Sequence, residues 1–116
     1  MSKRENDQRI DYIELPAKKF SAAKKFYASV FSWRYEQWGE GYCDTRDSGV
    51  GSGLNGESPT AAPLPVIYAV DLEQTRQRII TAGGSIIREI FDFPGGRRFH
   101  FRDPDGNELA VWSEAK

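Results

Sequence analysis

The chain is poorest in the residues that most often do chemistry: one cysteine, Cys43, and one histidine, His100, in 116 residues. One cysteine cannot close an internal disulfide, and no Cys/His cluster has zinc spacing. A reducing, cytoplasmic setting is the expectation. The chain also lacks an excess of either charge, with sixteen Lys and Arg against seventeen Asp and Glu and a net charge of −1. Neither side of Pro63 is a basic arm, which argues against nucleic acid as a partner. No apolar run approaches the ~20 residues of a membrane span, and no signal peptide opens the chain, so no membrane partner is expected. The length suits one domain with its own core.

The patterning that is present falls into two similar stretches. The polar opening, residues 1–9, reads as a flexible terminus. Ile10 to Leu15 alternates apolar and polar, as a half-buried strand does, and Pro16 ends it. Ser21 is a plausible N-cap for a helix with Ala23, Phe26, Tyr27, Val30 and Phe31 on one face. Short strands follow at Trp33–Trp38, Tyr42–Thr45 and, with more glycine, Gly49–Leu54. Asn55 to Pro65 has the composition of a linker. The order then repeats. Val66–Val70 reads as a strand, Asp71 with Gln74 as a capping box, and Leu72, Thr75, Arg76, Ile79 and Ile80 as a helix stopped by Gly83-Gly84. Strands at Ser85–Phe91, Arg97–Arg102 and Asn107–Trp112 complete it, the last two joined by a tight Asp103-Pro-Asp-Gly turn. The predicted class is α+β. One domain over 10–114 comprises two βαβββ modules, about 10–54 and 66–114, joined by linker 55–65. A four-stranded sheet with one helix leaves its second face open, so two such modules can curl a mixed sheet around a cleft.

Three stretches give this order a family resemblance. They are Tyr-Ile-Glu-Leu-Pro (12–16) with the Ala-Ala-Lys-Lys-Phe-Tyr-Ala-Ser-Val-Phe-Ser-Trp helix (22–33), Val-Asp-Leu (70–72) leading to Ala-Gly-Gly (82–84), and Phe-Arg-Asp-Pro-Asp-Gly-Asn (101–107). Together they resemble the vicinal oxygen chelate superfamily: glyoxalases, bleomycin-resistance proteins and extradiol dioxygenases. The resemblance implies the fold of that name, a cleft for a small molecule, a homodimer and, in the metal enzymes, four ligands. One His or Gln comes from the first strand of each module and one carboxylate from the last. The matching positions here are Tyr12, Pro65, the Gly51-Ser52-Gly53 segment and Ala110. None is a strong donor for a divalent ion, so no metal or other cofactor is expected at the family's positions. A displaced metal set from Glu14, His100 and Glu108 is the remaining route to a metal enzyme.

Strand alternation then selects the candidate site. With Ile13 and Leu15 toward the helix, Tyr12 and Glu14 face the cleft; with Leu109 and Val111 toward the helix, Glu108, Ala110 and Trp112 do. His100, between Phe99 and Phe101, is a natural general base beside Arg98 and Arg102. Tyr12, Glu14, His100, Glu108 and Trp112 are the candidate ligand-binding residues, with His100, Glu14 and Glu108 the candidates for catalysis. Tyr12, Trp38 and Trp112 suggest an aromatic wall for a planar or cationic ligand. Each residue also has a plain structural role open to it: a carboxylate paired with a nearby Arg, a satisfied His, tryptophans in a core or dimer interface. Three functions follow. The first is a metal-free protein binding a small organic molecule. The second is a lyase, isomerase or dioxygenase of the glyoxalase group, and the third an interaction module with a vestigial cleft.

Overall fold

The computed structural model describes residues 3–116; Met1 and Ser2 lie outside the described residues. The chain divides into two units, Tyr12–Leu64 and the segment up to Asp11 together with Pro65–Lys116. Each holds four strands and one helix, and the fold class is α+β.

The first unit holds β1 (Arg9–Pro16, its first three residues counting with the second unit), β2 (Arg34–Gln37), β3 (Tyr42–Arg46) and β4 (Gly51–Asn55), with α1 at Phe20–Phe31. Their order is β2-β3-β4-β1. β1 runs parallel to β4, with Glu14 opposite Gly53 and Leu15 opposite Leu54; β2–β3 and β3–β4 are antiparallel. Period-2 alternation sends Leu15, Cys43 and Leu54 to the α1 side, where they pack with Ala17, Phe20, Ala23, Tyr27 and Tyr35. Cys43 is fully buried there, and that burial raises its thiol pKa. It is a core residue.

α1 departs from the sequence expectation twice. Its N-cap is Lys19 without a side-chain hydrogen bond, not Ser21. The Ala23 N–H already reaches Lys19 O at 2.9 Å, which places Ser21 inside the first turn. The apolar stripe is also only partly covered. Phe20, Ala23 and Tyr27 meet the sheet, while Phe26, Val30 and Phe31 stay 55–56% exposed. At 100° per residue Phe26 lies about 100–120° round from Phe20 and Tyr27, on the flank of the helix, while Phe31, in the last turn, stacks on Tyr27 and lies against Trp33.

The second unit contains β5 (Leu64–Tyr68), α2 (Leu72–Thr81), β6 (Ser85–Phe93), β7 (Gly96–Arg102) and β8 (Glu108–Glu114), in the order β5-β8-β7-β6. β5 and β8 are parallel; the other pairs are antiparallel. Ala69, Leu72, Phe99, Phe101 and Val111 form its core, with Ile67, Ile79, Ile86, Ile90 and Leu109 around them. Asp71 caps α2 by accepting from the Gln74 N–H at 3.0 Å. Gly83, at φ +98°, turns the chain off the helix in a left-handed conformation that favours glycine. In the β7–β8 turn the Asp103 carboxylate accepts from the Asp105 and Asn107 N–H groups, and these bonds lower its pKa.

The segment before β1 is tied down where a loose terminus is expected. Lys3–Asn6 forms one 3-10 turn, Gln8 N–H donates to Tyr68 O at 2.8 Å, and Asp7 accepts from the Val70 N–H at 2.8 Å.

Candidate functional site

Each sheet has one face under its helix and one face away from it. The candidate side chains all lie on the second kind of face, and each unit builds its own polar cluster there.

In the first unit the cluster is a chain of hydrogen bonds. Tyr12 Oη donates to Asp44 Oδ1 at 2.8 Å and lies 2.7 Å from Tyr42 Oη. Tyr42 Oη is 3.2 Å from Glu14 Oε2, and Asn55 Nδ2 donates to Glu14 Oε1 at 2.8 Å. Trp38 Nε1 donates to the other oxygen of Asp44 at 3.0 Å. Glu14 is 1% exposed. A buried carboxylate needs donors of this kind, since an unbonded one would be expelled or protonated. Burial, with Tyr42 and Asp44 beside it, drives the Tyr12 phenol far above its ordinary pKa. The glycine in β4 makes the cluster possible: a Cβ on Gly53 would sit 2.0 Å from Tyr12 Oη and 2.7 Å from Tyr42 Oη.

In the second unit the cluster centres on His100. Phe99 and Phe101 turn into the core, so His100 turns away from α2, directly opposite Ala110 on β8 and Arg88 on β6. It is 3% exposed. Its Nδ1 lies 2.8 Å from Glu108 Oε2. Burial lowers the imidazole pKa, with Arg98 and Arg88 adding to the effect and Glu108 opposing it. The ring is therefore neutral near pH 7. A carboxylate only accepts, so Nδ1 carries the proton and Nε2 presents its lone pair. Nε2 is buried and has no hydrogen-bond partner among the described residues. Around the ring stand Phe91, with centroids 5.9 Å apart, and the Arg88 guanidinium, stacked 3.6 Å over Phe91. Arg98 lies 5.4 Å from Phe91 and 5.9 Å from Phe93. Trp112 packs on Tyr68 and Phe93 and donates from Nε1 to Asp11 at 3.0 Å. Tyr68 bonds to Glu114, and burial together with that bond pushes its pKa up to about 12.

The five sequence-selected residues thus fall into two groups. Tyr12 and Glu14 share the first cluster; His100, Glu108 and Trp112 share the second. Glu14 and Glu108 each have donors within their own unit. Trp38 joins Tyr12 through Asp44, while Trp112 sits with Tyr68 and Phe93. Sequence reasoning missed Tyr42, Asp44, Asn55, Arg88, Phe91 and Phe93. Alternation alone gives each strand's two faces, but it needs strand register to say which residues meet. A β-bulge between Arg88 and Phe91 hides their shared face further.

The family-type metal positions do not fit a divalent ion. The Tyr12 hydroxyl is engaged by Asp44 and Tyr42, and Ala110 is fully buried and apolar. Pro65 requires a correction: it shares the α2 side with Ile67, and the residue beside Ala110 is Val66. The one-residue shift follows from anchoring the count on Val70-Asp71, which lie beyond the end of β5. Val66 is no better a ligand than Pro65. Among the described residues no three His, Cys, Asp or Glu side chains gather as a metal site. No described helix is long and apolar enough to cross a membrane.

Comparison with known proteins agrees with this architecture. The model of the Glyoxalase/Bleomycin resistance protein/Dioxygenase superfamily matches residues 9–111. CFP32 of Mycobacterium bovis, described as a candidate glyoxylase, is 30% identical over 122 residues, covering 88% of this chain and 44% of its own length. The chain thus spans less than half of that curated relative. Among solved structures, a superfamily member from Vibrio splendidus 12B01 superposes with a TM-score of 0.70 at 18% identity, over 89% of this chain and 97% of its own. The Mn(II)-bound glyoxalase from Novosphingobium aromaticivorans gives 0.67 at 23% identity, over 96% of this chain and 42% of its own. At these identities the superpositions speak to the fold alone.

Proposed function

The chain belongs to the Glyoxalase/Bleomycin resistance protein/Dioxygenase superfamily, and on that footing we propose that it binds a small organic molecule on the His100 face of its second unit without the family's metal. The observation that supports this reading is the buried His100 ring: one nitrogen is fixed by Glu108, and the other is buried with no hydrogen-bond partner among the described residues. A buried polar atom left open in this way is costly unless something else completes it, and a ligand group is the natural complement. Phe91 supplies an apolar wall beside it, and Trp112 stands one cross-strand pair further along the same face, opposite Arg98, in keeping with the mostly apolar lining of small-molecule sites.

The same geometry supports a second reading, a metal-free lyase or isomerase in which His100 takes a proton at Nε2 and Glu108 holds the ring in that tautomer. We place the protein in the cytoplasm. We also propose a homodimer, on the strength of the exposed Phe26, Val30 and Phe31 of α1.

The test is a thermal-shift screen of planar acids, neutral compounds and amines, with metal analysis of the purified protein. Stabilisation by at least one class, lost in Glu108→Gln, is expected. No shift from any class sinks the binding reading. Stoichiometric Zn, Ni, Mn or Fe that disappears in Glu108→Gln sinks the metal-free one.

A further inference from the structure

We infer that the ligand of the His100 face is an organic anion that also carries a hydroxyl or N–H donor, a hydroxy-carboxylate being the simplest case. This rests on the small-molecule reading above and gives it a charge and a functional group. Read from the sequence alone, the aromatic and carboxylate residues suit a planar or cationic ligand. The geometry points the other way. Glu108 is bonded to His100, and Glu114, on the same face of β8, is bonded to Tyr68. An ammonium ligand would have to displace one of these.

The positive groups are placed differently. Arg88 stands opposite His100 in the β6–β7 register, exposed at the edge of the face, with its guanidinium flat on the Phe91 ring. Stacking on an aromatic face fixes the plane of a guanidinium and leaves its N–H edge directed outward, the arrangement that receives a carboxylate on two parallel bonds. Among the described residues Arg88 has no carboxylate partner. Arg98 lies 5.4 Å from the centre of the same ring. Next to these cations lies a buried acceptor with no hydrogen-bond partner among the described residues. With Nδ1–H committed to Glu108, His100 Nε2 can only accept, so the ligand atom that meets it bears a hydrogen. An anionic group for Arg88 and a donor for Nε2, joined by a planar body beside Phe91, describe one molecule.

Isothermal titration of the full chain at low salt with four probes of similar size tests this: 3-hydroxybenzoate, benzoate, benzyl alcohol and benzylamine. The expected order has 3-hydroxybenzoate about fivefold tighter than benzoate, as one added hydrogen bond gives. Benzoate binds more tightly than benzyl alcohol, and benzylamine gives no heat. Arg88→Gln, an exposed change, weakens both carboxylates by about tenfold and leaves benzyl alcohol unchanged. His100→Leu removes the preference for the hydroxyl; if that variant does not fold, the Arg88→Gln series still decides the anion. Benzylamine binding as tightly as benzoate, or carboxylate binding indifferent to Arg88→Gln, overturns the inference while leaving a small-molecule site in place. Equal affinity for the two benzoates overturns the donor requirement. No binding by any probe, together with a blank screen across all charge classes, overturns the underlying reading as well.

Discussion

Replacing Gly53 by alanine tests how tightly the first polar cluster is built. Gly53 is in β4 with no left-handed φ, so alanine is compatible with the backbone. By chain entropy alone the change would stabilise by about 0.5–1 kcal/mol. The packing reverses the sign. The new Cβ lies 2.0 Å from Tyr12 Oη, 2.7 Å from Tyr42 Oη and 3.1 Å from the Cys43 carbonyl. Tyr12 must retreat by more than an ångström to reach ordinary contact, and the phenol is a rigid lever with its tip pinned by Asp44 at 2.8 Å. Overpacking of this kind costs roughly 1–3 kcal/mol. Loss of a hydrogen bond to a carboxylate adds about 1.5–3 kcal/mol where it is complete. After the entropy gain, a net loss of about 2–4 kcal/mol is expected. At about 4 °C per kcal/mol for a chain of this size, Tm falls by roughly 8–16 °C. Urea unfolding followed by circular dichroism reads the change as a lower midpoint with an unchanged m-value. The specific check is a double-mutant cycle. Tyr12→Phe deletes the atom nearest the new methyl, so the two losses combine to less than their total by about 1–2 kcal/mol. A neutral or stabilised Gly53→Ala, or strict additivity with Tyr12→Phe, would refute this packing.

Two further predictions concern titration and assembly. Because burial holds the folded His100 pKa below its ordinary 6.5, the unfolded chain binds a proton that the folded one refuses. Its stabilising contribution is complete above 6.5 and is lost as pH falls from there through the folded pKa. Urea midpoints between about pH 7.5 and about pH 5 should therefore fall less steeply in His100→Gln than in the parent; parallel curves would refute the assignment. Light scattering should give a dimer for the parent chain and a monomer for Phe26→Asp and Val30→Asp, both exposed changes on the flank of α1. A monomeric parent, or a dimer indifferent to both changes, would remove α1 as the contact.

The legible part of this protein was the part written in local chemistry. Alternation at Ile10–Leu15 and Leu109–Val111, the Asp71 cap, the Gly83-Gly84 stop and the Asp103–Gly106 turn each act over a few residues, so a linear reading finds them. The same alternation correctly put Tyr12 with Glu14, and Glu108 with Trp112, on faces away from the helices. It also placed Phe99 and Phe101 in the core, which turns His100 outward. Where local signals were weaker, the reading drifted: Ser21 for Lys19 as the cap of α1, Pro65 for Val66 beside Ala110, and a full apolar stripe on α1 where half is exposed.

Tertiary structure alone decided who meets whom. That Tyr42, Asp44 and Asn55 close around Tyr12 and Glu14 follows from the β1–β4 and β3–β4 registers, which no local pattern encodes. That His100 reaches Glu108 while stacked Arg88 stands across the strand follows from pairings spanning β6, β7 and β8. The sequence by itself determined the two βαβββ modules and the family, because strand faces and residue identities are properties of single positions. Register and burial are properties of pairs. They make Glu14 the acceptor of Tyr42 and Asn55 and Glu108 the partner of His100, and among the described residues they leave His100 Nε2 without a hydrogen-bond partner.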